Sequence, residues 1–189
     1  MRAVSNTTPL RYLIAIEQEH LLGQLFEKVF VPAAAHEELT DARTPEIVRR
    51  WVASQPAWFE VRAVHETNAA MFPVTLHRGE RQSILLAEIL RADVLLIDEQ
   101  IGRTIAQGRN LPLSGTLGVL ERADRMRFVS GFPQILRRLK LSGFFITDAL
   151  EQLLLERHRA TSKGPLTWPS RRTPASRTWP FRSRRKAVQ

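Results

Sequence analysis

Acidic and amide side chains lie next to the apolar segments of this sequence. Asn6 follows the segment RAVS, Asp98 and Glu99 follow the run VLLI, and Glu38 and Glu80 lie in helical segments after VFVP and before VLLI. Carboxylate and amide oxygens are the ligands that Mg²⁺ and Mn²⁺ prefer, and clustered carboxylates repel one another unless a cation lies between them. Such cations support phosphodiester hydrolysis by activating water and stabilising the leaving oxygen. The residue types therefore predict a Mg²⁺ or Mn²⁺ site for phosphodiester hydrolysis.

Each acid taken singly also has an ordinary structural interpretation. A glutamate near the start of a helix commonly complements the helix dipole on the surface, which applies to Glu37, Glu38 and Glu80. Asp98 directly follows an apolar run, so a functional position at a sheet edge is favoured there over a structural cap. The choice depends on where the fold places these side chains.

Other chemistries have less support. The chain has no cysteine, which excludes disulfides, thiol nucleophiles and cysteine zinc sites. Its histidines lack the three- or four-residue spacing of a helical metal site, its serines lie in no nucleophile elbow, and its glycines form neither a GxGxxG nor a P-loop string. Arg78, Arg81 and Arg103 lie near Glu80 and Asp98 in sequence and could bind nucleic-acid phosphates, although a surface ion pair is the alternative for Arg81.

The elements that would position these residues alternate between strands and helices. Apolar or alternating segments predict strands at residues 2–5, 29–31, 59–64 and 94–97 and in LPLSG. Helices are predicted between them and in two C-terminal segments, with Thr44, Thr116 and Thr147 as N-caps and a first helix from Pro9 to Glu17. This order predicts an α/β fold with a mostly parallel sheet, in which ligands bind outside the carboxyl ends of the strands.

The positive charge of the chain is concentrated at its C-terminal end. Residues 160–189 carry eight lysines and arginines and no acid, while the rest of the chain has 20 basic against 19 acidic residues. We predict one domain over residues 1–159 and a disordered basic tail over 160–189. Arginines interleaved with Trp168, Trp179 and Phe181 are typical of a segment that binds phosphates and stacks on unpaired bases. A solvated appendage or an out-of-frame coding sequence would have the same composition.

The N-terminal residues lack the apolar core of a signal peptide, and no run approaches the roughly 20 apolar residues of a membrane span. Together with the absence of cysteine, these features predict a cytoplasmic protein without a membrane segment.

Four motifs, taken in order, resemble those of one family. They are SNTTPL at 5–10, HRGE at 77–80, LLIDE at 95–99 and SGTLGVL at 114–120. They resemble PIN-domain proteins, and within them a branch of uncharacterised function with an SNTSPL-like start, an RGE helix, an LLIDD-like strand end and a GTLG turn. The resemblance covers roughly residues 1–157. It implies a three-layer α/β PIN-like fold and Mg²⁺- or Mn²⁺-dependent cleavage of single-stranded RNA, and many bacterial members are toxins paired with a small antitoxin.

The resemblance also implies a role for each residue of the site. Asn6 matches the first metal-binding acid, Glu38 the second, Glu80 the third, Asp98 with Glu99 the fourth, and Thr116 the hydroxyl after the last strand. On this basis Asp98, Glu80 and Glu38 are the predicted catalytic residues that hold the cation. Asn6 and Glu99 complete its shell, and Thr116 supports it.

Asn6 is the departure from the family pattern. Its amide oxygen can ligate a hard cation but brings no charge, so the site should bind divalent metal more weakly. Either Glu99 compensates and the chain is an endoribonuclease, or the chain is a catalytically inactive PIN-like module that binds nucleic acid or a protein.

The helical segment 132–155 has apolar residues that could form an interface with a partner. It offers leucine and isoleucine on more than one face, and Phe144 and Phe145 add apolar area. The resemblance implies a homodimer or a bound antitoxin on such a surface, and ordinary packing of terminal helices is the alternative. The overall prediction is a metal-dependent endoribonuclease that acts as the toxin of a toxin–antitoxin pair, with RNA and a small cognate antitoxin as partners.

Overall fold

The computed structural model describes residues 1–65 and 72–163. The strands are β1 (Arg2–Ser5), β2 (Lys28–Pro32), β3 (Phe59–Arg62), β4 (Val94–Leu96) and β5 (Leu113–Ser114). The helices are α1 (Thr7–Ala15), α2 (His20–Leu25), α3 (Ala33–Thr40), α4 (Glu46–Ser54), α5 (Arg78–Leu90), α6 (Gln100–Gly108), α7 (Thr116–Arg125), α8 (Phe132–Leu141) and α9 (Asp148–Lys163). From residue 164 onward the predicted tail, with Trp168, Trp179 and Phe181, lies outside the described residues.

The five strands form one sheet in the order β3-β2-β1-β4-β5, and every neighbouring pair is parallel. Successive side chains point to opposite faces, so Ala3 and Val94 belong to one apolar core and Val4 and Leu95 to the other. Side chains of α1–α4 and α7–α9 contribute to the first core, and those of α5 and α6 to the second. The predicted three-layer α/β fold is confirmed, with a wholly parallel sheet in place of a mostly parallel one.

Several helix and strand ends differ from the predicted ones. Helix α1 begins at Thr7 rather than Pro9, because β1 passes directly into it through Asn6. Pro45 rather than Thr44 is the N-cap of α4. Gly115 rather than Thr116 is the N-cap of α7, since the Thr116 hydroxyl and amide both bond to a side chain from another segment. These contacts come from the tertiary structure, which local sequence signals do not contain.

Other boundaries are closer to the predicted ones. Strand β3 ends at Arg62 rather than residue 64. Thr147 precedes α9, and its hydroxyl accepts the Leu150 N–H at 3.3 Å, which confirms the predicted N-cap.

The parallel arrangement places the carboxyl ends of all the strands at one edge of the sheet, which we call the carboxyl edge. The helices α1, α3, α6 and α7 begin there, directly after β1, β2, β4 and β5. Helix α5 also begins at this edge, because it leads back to the start of β4. Within the described part of the chain, no helix has the length and apolar character that crossing a membrane requires.

Candidate functional site

A cavity of about 190 Å³ opens at the carboxyl edge. Its walls come from the start of α1, from α3, from the start of α5 and from the segment after β4, and are formed by Asn6, Thr7, Thr8, Arg11, Glu38, His77, Glu80 and Glu99. Four of the five predicted metal-binding residues therefore line one cavity. The fifth, Asp98, does not line the cavity.

The first turn of α1 holds two of the glutamates. The Thr7 hydroxyl donates to Glu38 Oε2 at 2.5 Å, and the Thr8 hydroxyl donates to Glu99 Oε1. Asn6 Nδ2 donates to Glu99 Oε2 at 3.2 Å. Glu99 thus accepts hydrogen bonds at both carboxylate oxygens, and Glu38 at one. The direct passage from β1 into α1 is what brings these three donors to the cavity.

Asn6 has an unusual environment for a buried amide. It is 3% exposed, and its backbone N–H donates to Leu96 O at 2.9 Å, which fixes it at the end of β1. Its Oδ1 is buried and has no hydrogen-bond partner among the described residues. A buried acceptor without a donor costs free energy unless something outside the protein chain binds it.

Glycine at position 79 keeps the space beside this oxygen open. A Cβ at Gly79 would lie 2.6 Å from Glu38 Oε1 and 3.4 Å from Asn6 Oδ1. The two oxygens therefore approach the same point on the first turn of α5. The oxygen of Glu38 that lies there is Oε1, which is not the one held by Thr7.

Glu80 is buried at the start of α5. Its Oε2 accepts the His77 N–H at 2.9 Å, and the residue is only 6% exposed. Burial raises the pKa of Glu80, the His77 hydrogen bond lowers it, and the neighbouring charges of Glu99 and Glu38 raise it. Glu80 is thus close enough to Glu99 and to Glu38 for their negative charges to repel its own.

Asp98 occupies a different position from its neighbour Glu99. Its Oδ1 accepts the Thr116 N–H at 2.9 Å and its Oδ2 the Thr116 hydroxyl at 2.6 Å, so it fixes the start of α7. Burial raises the pKa of Asp98 to about 6, against the lowering effect of the two Thr116 hydrogen bonds. A Cβ at Gly115 would lie 2.2 Å from Asp98 Oδ1, so this contact requires glycine there.

The donor set fits a hard divalent cation in its chemistry, since it consists of carboxylate and amide oxygens. The side chains are not gathered around one point. Among the described residues, no three acidic or histidine side chains are arranged to hold a metal ion as they stand. Thr7, Thr8, Asn6 and the His77 N–H hold the carboxylates instead, and a cation would have to compete with these hydrogen bonds.

The three predicted nucleic-acid-binding arginines do not line the cavity, and each has a protein partner. Arg103 Nη1 donates to Ile97 O at 2.8 Å and to Ser114 O at 3.1 Å, which joins the ends of β4 and β5. Arg81 Nη1 donates to Leu76 O at 2.6 Å. Arg78 Nη1 forms an ion pair with Glu37 Oε2 at 3.0 Å. Their contact with nucleic acid remains a prediction.

Sequence reasoning missed four residues of the cavity wall as site residues: Thr7, Thr8, Arg11 and His77. Their positions in the sequence, close to predicted metal-binding residues, could have identified them. Thr7, Thr8 and Arg11 lie within one helical turn of each other directly after Asn6, and His77 precedes the helix that carries Glu80.

Comparison with known proteins agrees with the fold. A family model for PIN domains matches residues 2–160, which includes every described strand and all but the last residues of α9. No curated protein matches the chain. PIN domains form a nuclease-type superfamily whose members generally use divalent metals. With more than four fifths of its length matched, this chain belongs to the PIN-domain family.

Proposed function

We propose that this PIN domain is a Mg²⁺- or Mn²⁺-dependent endoribonuclease. The observation that carries the proposal is the buried Asn6 Oδ1, which has no donor among the described residues, in the same cavity as Glu80, whose charge is repelled by those of Glu99 and Glu38. A divalent cation would satisfy the amide oxygen and offset the repulsion together. Family membership supports the reaction class.

The residues of the cavity have distinct roles in this proposal. A divalent cation held by Asn6, Glu38, Glu80 and Glu99 would supply activation of water and neutralisation of charge on the leaving oxygen. Thr7 and Thr8 orient Glu38 and Glu99, and Asn6 orients Glu99 through its NH₂ group.

Asp98 is proposed to act differently from its neighbour. It holds the start of α7 through Thr116, and its direct contact with the cation remains a prediction. Glu99 lines the cavity and is the better candidate for the fourth ligand, after Asn6, Glu38 and Glu80.

The biological setting is also a proposal. We propose that the chain is a toxin that cleaves RNA in the cytoplasm and is held inactive by a small cognate antitoxin. Leu141 and Phe145, 78% and 84% exposed at the turn between α8 and α9, supply apolar surface for an antitoxin or a second copy of the chain.

A catalytically inactive PIN-like module that binds RNA or a protein is the second candidate. Two features favour this inactive module. Asn6 is uncharged and so gives the site one negative charge fewer than an acid would, and each glutamate of the cavity already accepts a hydrogen bond from the protein. Both features weaken cation binding. Such a module would retain RNA in the presence of EDTA, and the retention would fall steeply with salt.

The proposal is tested by calorimetric titration of the full chain with Mn²⁺ and by RNA cleavage in the same buffer. The variants are Glu80→Gln, which removes a buried carboxyl group from the cavity, and Glu46→Gln, an exposed control that pairs with Arg50 on α4. We expect Mn²⁺ binding and EDTA-sensitive cleavage in wild type and in Glu46→Gln, and neither in Glu80→Gln with its fold intact. Unchanged cleavage by Glu80→Gln would contradict the proposal. Absent Mn²⁺ binding in wild type would favour the inactive module.

A further inference from the structure

The cavity wall contains one cationic residue of permanent charge among the described residues, and this is Arg11. It lies on α1 one turn beyond Thr7 and Thr8, on the same side of the helix as these two hydroxyls. Those hydroxyls bond to Glu38 and Glu99, so Arg11 lines the same cavity as the carboxylates of the proposed cation site.

Arg11 differs from the other arginines near the carboxyl edge in its contacts. It is exposed and forms no salt bridge with a described residue. Its guanidinium carbon lies 5.9 Å from the centroid of the Tyr12 ring, and that ring is packed edge to face on Phe144 at 4.9 Å. A guanidinium over an aromatic face keeps its planar set of N–H donors available for an anion.

Arg11 shares the cavity wall with Glu38, Glu80 and Glu99 but forms no salt bridge with any of them. Its chemistry instead suits the anion that a nuclease has to hold beside its acidic site. Phosphodiester oxygens accept the paired N–H donors of a guanidinium in a bidentate contact.

We infer that Arg11 binds a backbone phosphate of single-stranded RNA next to the bond that is cut, which makes it a substrate-positioning residue. This inference rests on the proposed function, because it takes the acidic cavity to be the place of cleavage. Arg11 then offsets the repulsion between the carboxylates and the RNA backbone and fixes where the strand enters the cavity.

The test measures binding of a fluorescein-labelled single-stranded RNA of about ten nucleotides to the full chain in EDTA, at several salt concentrations. The variants are Arg11→Gln, Arg11→Lys and the control Arg125→Gln, an exposed arginine in the last turn of α7, away from the carboxyl edge. We expect Arg11→Gln to weaken binding about tenfold, as for a charge-assisted contact. The slope of log affinity against log salt should fall by about 0.7.

The two further variants separate charge from geometry. Arg11→Lys should keep the salt slope and lose part of the affinity, because it keeps the charge and loses the bidentate contact. Arg125→Gln should bind as wild type does. Equal affinities and slopes for Arg11→Gln and Arg125→Gln would overturn the inference.

The outcome is distinguishable from that of the proposed function. Binding in EDTA requires neither metal nor cleavage, so a weaker complex with Arg11→Gln supports the phosphate contact even if Mn²⁺ gives no cleavage. Where cleavage occurs, Arg11→Gln should raise KM and leave kcat and Mn²⁺ affinity unchanged. A loss of kcat at unchanged RNA affinity would overturn the positioning role.

Discussion

At the scale of single residues, the negative charge of the buried Asp98 lowers the stability of the fold. Burial raises its pKa from 3.8 to about 6, so the native state binds the proton more tightly than the unfolded state. The charged form therefore costs stability, and this cost grows as pH rises from 3.8 to about 6 and stays constant above. Asp98→Asn removes it, with a gain of at most about 3 kcal/mol at neutral pH.

This prediction is checked by urea unfolding of wild type and Asp98→Asn. The advantage of the variant should be about 1 kcal/mol larger near pH 7.5 than near pH 5. A variant less stable than wild type at both pH values would show that its hydrogen bonds with Thr116 outweigh the burial cost.

Gly79 offers a second test at the residue scale. In Gly79→Ala the new Cβ would lie 2.6 Å from Glu38 Oε1, so the carboxylate has to move away from Asn6 Oδ1. We expect weaker Mn²⁺ binding at unchanged or slightly higher stability, because alanine favours the helix over glycine by roughly 0.5–1 kcal/mol.

The matched control for this substitution is Gly108→Ala at the end of α6, where a Cβ would meet nothing within 4 Å. It should leave the Mn²⁺ affinity measured by calorimetry at the wild-type value. An equal affinity in Gly79→Ala would show that the oxygens beside Gly79 are not cation ligands.

At the scale of elements, Arg103 joins the ends of two strands. Its Nη1 donates to Ile97 O, directly after β4, and to Ser114 O, in β5. The positive charge of Arg103 also lowers the pKa of Asp98. Arg103→Gln should therefore cost about 1–3 kcal/mol of stability, because the Ile97 carbonyl loses this donor, whereas Ser114 O keeps the hydrogen bond from the Ile97 N–H. Arg137→Gln, at an exposed position of α8, should cost little.

Thermal and urea unfolding of both variants check this prediction, with RNA affinity measured alongside. Unchanged stability together with weaker RNA binding in Arg103→Gln would contradict the role in joining the strands. It would favour the phosphate contact predicted for this residue from the sequence.

The elements themselves follow from the sequence more closely than the site does. Continuous apolar runs such as Val94–Leu96 and prolines near helix starts are local signals, so strand and helix order could be predicted. The difference between Asp98 and Glu99 is not local. Both acids follow the end of β4. Asp98 binds Thr116, whereas Glu99 binds Asn6 and Thr8 and faces the cavity, and these contacts come from distant parts of the chain.

At the scale of the whole molecule, charge is divided between a nearly neutral domain and a basic C-terminal segment. Residues 164–189 carry seven lysines and arginines and no acid, and the family match ends at residue 160. A nearly neutral domain with carboxylates in its cavity should by itself bind RNA weakly. We therefore expect the C-terminal segment to supply most of the affinity that does not depend on RNA sequence.

Truncation after Lys163 tests this division, because it retains every described strand and helix. The truncated chain should unfold at the same urea concentration as the full chain but bind single-stranded RNA more weakly at low salt, with a much smaller salt slope. Its Mn²⁺ affinity should not change, since no cavity residue is removed. Equal salt slopes for the two chains would show that the basic segment takes no part in binding RNA, and would leave Arg11 as the main phosphate contact.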